Sequence, residues 1–197
     1  MESEITRRFV HVSGSAVPLA YVFDVLTWTH IQLILVGGCA AAMILEVIRL
    51  VIGLDWWIYD HLTREYEQDN LAGYALAVIS ATTVGLLAPP MIAVPSILML
   101  TLGDPISGLL GSGRFRPIGD GETMELILKP PRVLAAMFVV CTAIGYSFVS
   151  LGPAMLAAAA VTLADGVKPV IRTYVLDDNL TIPLIAAGAL AVGLAIV

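Results

Sequence analysis

Long runs without charge constrain this chain more than any other feature. Leu71 to Ala88, Met91 to Gly103 with a continuation to Leu110, Val133 to Leu151 and Leu180 to Val197 are such runs. Ile31 to Val51 is another, broken only by Glu46 and Arg49 near its end. Crossing the hydrocarbon core of a bilayer takes about 20 apolar residues in a helix, because backbone groups find no water there and must pair within the segment. Barrel strands need only about 10 residues and alternate apolar with polar, which these runs do not. A first span, Phe9 to Leu26, follows the basic pair Arg7 and Arg8. His11 and Pro18 interrupt it and no small-residue cleavage site stands out, so it reads as a span and not as a signal peptide. A sixth run, Pro153 to Ala164, is short and continues through Asp165 and Lys168. Charged residues fill 13% of the 197 positions, against about 25% in an ordinary soluble domain. The expectation is one all-α domain, residues 1–197, of about seven transmembrane helices. Cys39 and Cys141 fall inside spans and read as small packing residues.

With the N-terminus placed in the cytoplasm, all 10 basic residues fall on one side: Arg7 and Arg8, Arg49 and Arg64, Arg114, Arg116, Lys129 and Arg132, Lys168 and Arg172. The opposite connections, around Trp28, Pro89 to Pro90 and Ser150 to Gly152, carry none. The positive-inside rule then puts the N-terminus in and the C-terminus out. Of 16 acidic residues only Asp24 lies on the far side. Chemistry is therefore expected at the cytoplasmic face of a cell membrane, and nothing in the charge pattern points to a nucleic-acid partner.

Ionisable groups within apolar spans are costly and mark functional sites by default. His11 lies just inside span one, Glu46 in the inner third of span two, and Asp104 interrupts span four ahead of Pro105, Ser107, Gly108 and Gly111. Asp165 closes span six, with Lys168 and Arg172 beyond it, and Asp177, Asp178 and Asn179 stand at the mouth of span seven. These residues come from different spans yet share one depth. Carboxylates gathered at one depth, without a thiolate or histidine cluster, suit a hard oxygen-preferring cation such as Mg2+. Basic side chains at the same rim suit phosphate. Carboxylate-held Mg2+ with basic residues is apparatus for moving a phosphoryl group, and the acceptor would come from the bilayer.

Plainer roles compete with these. Gly103, Ser107 and Gly111 recur every four residues and serve helix packing equally well. Asp178 or Asn179 suits a helix cap, and Glu46 with Arg49 an intrahelical pair. Pro183 cannot donate to the Asn179 carbonyl, which leaves that oxygen for a ligand or water. Gly103-Asp104-Pro105 is the hardest to explain plainly, since it is expected to unwind a helix and set a charge there.

Four segments carry a resemblance. Arg7-Arg8-Phe9-Val10-His11 resembles the opening Arg-Lys-x-x-His of the CTP-dependent polyprenol kinases, the family of dolichol kinase, phytol kinase and the CTP-dependent diacylglycerol kinases. Leu45 to Arg49 is similar to its Glu-x-x-Arg, and Leu102 to Gly111 to its Gly-Asp-x-x-Ala-x-x-x-Gly element. Asp177 to Leu184 resembles its Asp-Asp-Asn-Leu-Thr-x-Pro signature, the most specific of the four. Order and spacing hold from residue 7 to residue 184. The resemblance implies a kinase that uses Mg2+ or a similar divalent cation and transfers the γ-phosphoryl of CTP to a membrane isoprenoid alcohol of the dolichol or polyprenol kind. It implies that Asp104 and Asp178 are catalytic, and that Asp104, Asp177 and Asp178 hold metal and nucleotide phosphates. Arg8, His11, Ser107, Gly108, Lys168 and Asn179 would bind nucleotide or phosphate, with Glu46 and Asp165 in support. The chain departs from the pattern at Glu122 to Ile127, where Leu126 and Ile127 replace small residues and Glu122 a base, and at Asp165, where the family favours Glu. Two other readings remain: a cytidylyltransferase forming a CDP-lipid, for which the His-Gly-Gly-x-x-x-Asp-Arg-x-Asp element is missing, and a non-catalytic membrane or transport protein on the same fold.

Overall fold

The computed structural model describes residues 2–54, 56, 59, 63, 67–68, 70–111, 114–117, 124–171, 174–175 and 177–197. Helices dominate. The first expected span is two helices, α1 (Glu2–Gly14) and α2 (Ala16–Val22), separated at Ser15, whose hydroxyl bonds back to the Val12 carbonyl. A turn through Asp24, which adopts a left-handed conformation (φ 54°), leads to α3 (Trp28–Val47). Thr27 caps α3 by accepting from the His30 amide, and a wide π-type segment, Ile48–Ile52, ends it at left-handed Gly53. Next come α4 (Gly73–Leu87) and α5 (Pro90–Leu98). A second π segment, Met99–Gly103, joins α5 to α6 (Asp104–Leu110). The hairpin of α7 (Pro131–Tyr146) and α8 (Leu151–Gly166), and the last helix α9 (Asp178–Ile196), complete the bundle.

Among the described residues, three helical stretches are long and apolar enough to cross a membrane: Trp28–Ile52, Pro90–Leu110 and Asp178–Ile196. Gly73–Leu87, Pro131–Tyr146 and Leu151–Gly166 are shorter apolar helices. Pro90–Leu110 is the central one, 72% of its most apolar window being buried, against 22% for Trp28–Ile52. Its residues Ile92, Met99 and Leu100 pack with Met137 and Cys141 of α7, Ala157, Ala158 and Val161 of α8, and Ile182, Ala186 and Leu190 of α9. A smaller cluster, Ile31, Leu35, Ala81 and Ile97, ties α3 to α4 and α5. The outer faces are apolar too: Leu33, Ile44, Val51, Leu87 and Ile196 are all largely exposed. So much exposed aliphatic surface suits lipid and not water.

Two expectations are corrected in detail. Gly103-Asp104-Pro105 does not unwind its helix. The backbone widens into the π segment, the Asp104 amide still reaches the Leu100 carbonyl, and Pro105, lacking an N–H, starts α6. Gly103 is needed for packing, since a Cβ there would lie 3.1 Å from Cys141 Sγ and 3.2 Å from the Met137 thioether. The second correction concerns the Asn179 carbonyl freed by Pro183, which accepts a hydrogen bond from Ser80 Oγ of α4 at 2.7 Å.

The helical expectation also missed a small antiparallel sheet, in the order β1 (Arg114–Pro117), β2 (Met124–Leu128), β3 (Val167–Ile171), β4 (Tyr174–Val175). β2 leads into α7 and β3 leaves α8, so their pairing closes the base of the α7–α8 hairpin. The register ends at Leu128 opposite Val167, and the Lys129 amide then donates to the Gly166 carbonyl at 3.1 Å. That last bond sets Lys129 beside the end of α8. The departure from the family pattern falls here: Met124 to Leu128 is strand β2, while Glu122 and Thr123 lie outside the described residues.

Candidate functional site: a buried carboxylate cluster

Three carboxylates remote in sequence meet at one point. Asp104 opens α6, Asp165 lies in the last turn of α8 and Asp178 begins α9, and one oxygen from each lies within 4.8 Å of the others. Asp165 and Asp178 are buried and Asp104 is partly exposed. Lys129 reaches into this cluster from the end of β2. Its ammonium donates to Asp165 Oδ1 at 2.6 Å and to Ser107 Oγ at 2.9 Å, and lies 3.9 Å from Asp104 Oδ1. Ser107 in turn donates to Asp165 Oδ2 at 2.7 Å, so both oxygens of Asp165 are engaged. Carboxylates held so close in a low-dielectric surrounding repel one another, so their ionised forms depend on positive charge nearby. An all-oxygen donor set is what a hard divalent ion prefers, so these residues fit Mg2+ or a similar ion.

Arg8 and the Gly-Asp element also come together. The guanidinium of Arg8 lies over Gly108, where a Cβ would meet Arg8 Nη2 at 3.2 Å. This glycine makes room for a cation one residue from Ser107. His11, three residues on along α1, stands on the same helical face as Arg8 and lines an apolar cavity between α1, α3, α4 and α5.

The start of α9 divides its labour. Asp177 is the cap: its Oδ1 accepts from the Asn179 amide at 2.8 Å and from Asn179 Nδ2 at 2.6 Å. The capping role considered for Asp178 or Asn179 thus falls to their neighbour, and among the described residues the three-carboxylate group contains Asp165 where the sequence reading put Asp177. Asn179 Oδ1 is buried with no hydrogen-bond partner among the described residues. Asn179 also packs against α4, since a Cβ on Gly73 would fall 2.6 Å from its Nδ2 and 3.4 Å from Glu67 Oε1.

Glu46 belongs to a different kind of cluster. Its carboxylate accepts from Arg49 Nε at 3.2 Å, Arg49 Nη2 at 2.6 Å, the Ala72 amide at 3.1 Å and the Tyr74 hydroxyl. Arg49 spends its remaining N–H groups on the carbonyls of Glu67, Gln68 and Asn70. The intrahelical pair read from sequence is thus also a clip that fastens the chain before α4 to the end of α3.

Of the site residues read from sequence, Asp104, Ser107, Asp165 and Asp178 form the cluster and Gly108 with Arg8 adjoins it. Asp177 and Asn179 form the cap, Glu46 forms the clip, and His11 lines the cavity. Lys168 lies on β3, and its side chain, like all of Arg172, lies outside the described residues. Lys129 was counted only as a topological charge; its signal was its position, a lysine directly before Pro130-Pro131 at the head of an apolar helix. Comparisons with protein-family models, with curated proteins and with solved structures find no match.

Proposed function

We propose that this protein is a CTP-dependent lipid kinase that phosphorylates a membrane isoprenoid alcohol of the dolichol or polyprenol kind at the cytoplasmic face. The convergence of Asp104, Asp165 and Asp178 around Lys129 and Ser107 carries the reading. The resemblance of residues 7–184 to the polyprenol kinases supplies the donor and the acceptor class. About seven spans with the N-terminus inside, as the basic residues dictate, set the cluster at the inner boundary, where nucleotide and lipid both have access.

Asp104, Asp178 and Asp165 would hold the divalent cation, which when bound offsets negative charge on the nucleotide phosphates. Arg8 and Lys129 supply fixed positive charge for the same phosphates, since charge-assisted hydrogen bonds to phosphate oxygens are the strong kind. Lys129 and Ser107 hold Asp165 in place for the cation. Asp104 has a side chain 20% exposed, which makes it the member open to substrate. It accepts the hydroxyl proton as the lipid oxygen bonds to the γ-phosphorus; the bond to the β-phosphate oxygen breaks and CDP leaves. Burial keeps water from competing for the phosphoryl group.

The test is transfer of label. Membranes containing the chain, given γ-labelled CTP, Mg2+ and a polyprenol, should form chloroform-extractable isoprenoid phosphate. Label entering lipid from the α-position, with pyrophosphate released, would replace kinase with cytidylyl transfer. No transfer from any nucleotide to any lipid alcohol would remove the enzymatic reading.

A further inference from the structure

A cavity of about 220 Å3 lies between α1, α3, α4 and the junction of α5 with its π segment. Its walls are mainly small or aliphatic, with Gly14, Gly38, Leu35, Ala77 and Ala81 among them. Val10 and Ile34, both exposed, form part of its lining, so the cavity opens sideways between α1 and α3 onto surface that faces lipid. Three polar side chains line it, two of them close in sequence to residues of the carboxylate site. His11 is three residues from Arg8, Thr101 is three residues before Asp104, and Tyr74 bonds Glu46. Thr101 is 8% exposed, and its hydroxyl has no hydrogen-bond partner among the described residues. A buried hydroxyl in apolar surroundings costs free energy unless something bonds to it, and this one belongs to a residue lining the cavity.

We propose that this cavity is the acceptor site: it takes the first carbons of one single-chain lipid alcohol, with the hydroxyl end at Thr101 and His11 and the remaining tail in the bilayer. The proposal rests on the kinase reading and adds a substrate specificity to it. A volume below the roughly 300–1,000 Å3 of sites that enclose a whole ligand fits a groove that holds only the head of a chain. Leu35 and Ile97, both buried in packing between α3 and α5, line it, and a space of about 220 Å3 suits one chain better than the paired chains of a diacylglycerol. Gly38 marks the depth of the space, since a Cβ there would meet only Val78 Cγ1, at 3.7 Å.

The test uses a diazirine-bearing prenyl alcohol cross-linked to the full chain in membranes without nucleotide, with the adducts mapped by mass spectrometry. Adducts are expected on the segments at residues 10–17, 34–38 and 74–81. A single-chain prenol should compete them away and a diacylglycerol should not. Gly38→Leu should lower adduct formation by about 10-fold or more, the scale of one or two lost methylene contacts. Gly188→Leu, on the exposed face of α9, should leave it unchanged. Thr101→Val, which removes only the hydroxyl, should raise KM for the alcohol severalfold and leave KM for CTP alone. Adducts elsewhere, no adducts, or adducts indifferent to Gly38→Leu would overturn the acceptor site, even if label still passed from CTP to lipid. Adducts in the cavity without any transfer would uphold the lipid site and overturn the kinase.

Discussion

Among the described residues, the clusters at Glu46 and at Asp104, Asp165 and Asp178 are built on opposite principles. At Glu46 every charge is answered: one carboxylate faces one guanidinium, and the N–H groups left over find three backbone carbonyls. At Asp104, Asp165 and Asp178 three carboxylates converge, with the Lys129 ammonium bonded to Asp165 and 3.9 Å from Asp104. A saturated cluster has nothing left to offer a ligand, and its work is to hold the chain before α4 in place. Three carboxylates that bring oxygens within 4.8 Å of one another repel, and a site that holds like charges this close suits a cation. Burial and charge alone would rank the two alike. The kind of neighbour separates them: a guanidinium and backbone groups around Glu46, other carboxylates around each aspartate.

The contrast breaks most readily at the three-carboxylate cluster. Asp104→Asn or Asp178→Asn should lower phosphoryl transfer by about 100-fold or more. Both variants should still insert, because Asn keeps the shape and the hydrogen-bonding capacity of the side chain it replaces. A large loss of stability in both would make the cluster structural. Glu46→Ala should do the reverse. Removing one partner of a buried ion pair costs about 3–5 kcal/mol, read as a lower unfolding temperature and a shorter half-life in detergent, while the folded fraction keeps its turnover. Unchanged stability would show that Arg49 does not need its partner.

Smaller effects sharpen the comparison. Lys129→Met should weaken CTP binding by about 10-fold, the worth of one charge-assisted contact. The same change should lower the Mg2+ concentration needed for half-maximal turnover, because the carboxylates then lack their built-in cation; a higher requirement would count against Lys129 as the internal counter-charge. Ser80→Ala should cost about 1 kcal/mol of stability, through the Asn179 carbonyl that Pro183 leaves without its helical donor. Calorimetry of the purified protein would detect the shift, and its absence would mean water replaces the hydroxyl.

Much of this was legible in residues that have no business in an apolar run. Asp104 and Glu46 stood out because each interrupts hydrocarbon-like sequence, Arg8 and Asp178 because each stands at the mouth of a span, and the membrane character follows from the same runs. Choosing Asp165 over Asp177 was not legible. Asp177 and Asp178 are neighbours, and only the helix start decides that one caps while the other turns to the cluster. Lys129 was hidden for a longer-range reason, since its place depends on β2 pairing with β3 across the whole α7–α8 hairpin. The strands themselves are short and lack alternation; Met124 to Leu128 reads equally well as a loop between spans. Ser80 could not be matched to Asn179 without knowing that α4 packs on α9.

Mn2+ titration followed by electron paramagnetic resonance, on the purified chain with CTP, tests the three-carboxylate site most directly. One tightly bound ion per chain is expected, lost in each of Asp104→Asn, Asp165→Asn and Asp178→Asn and kept in Glu46→Gln. An ion that survives all three aspartate changes, or none bound in the parent protein, would contradict the account.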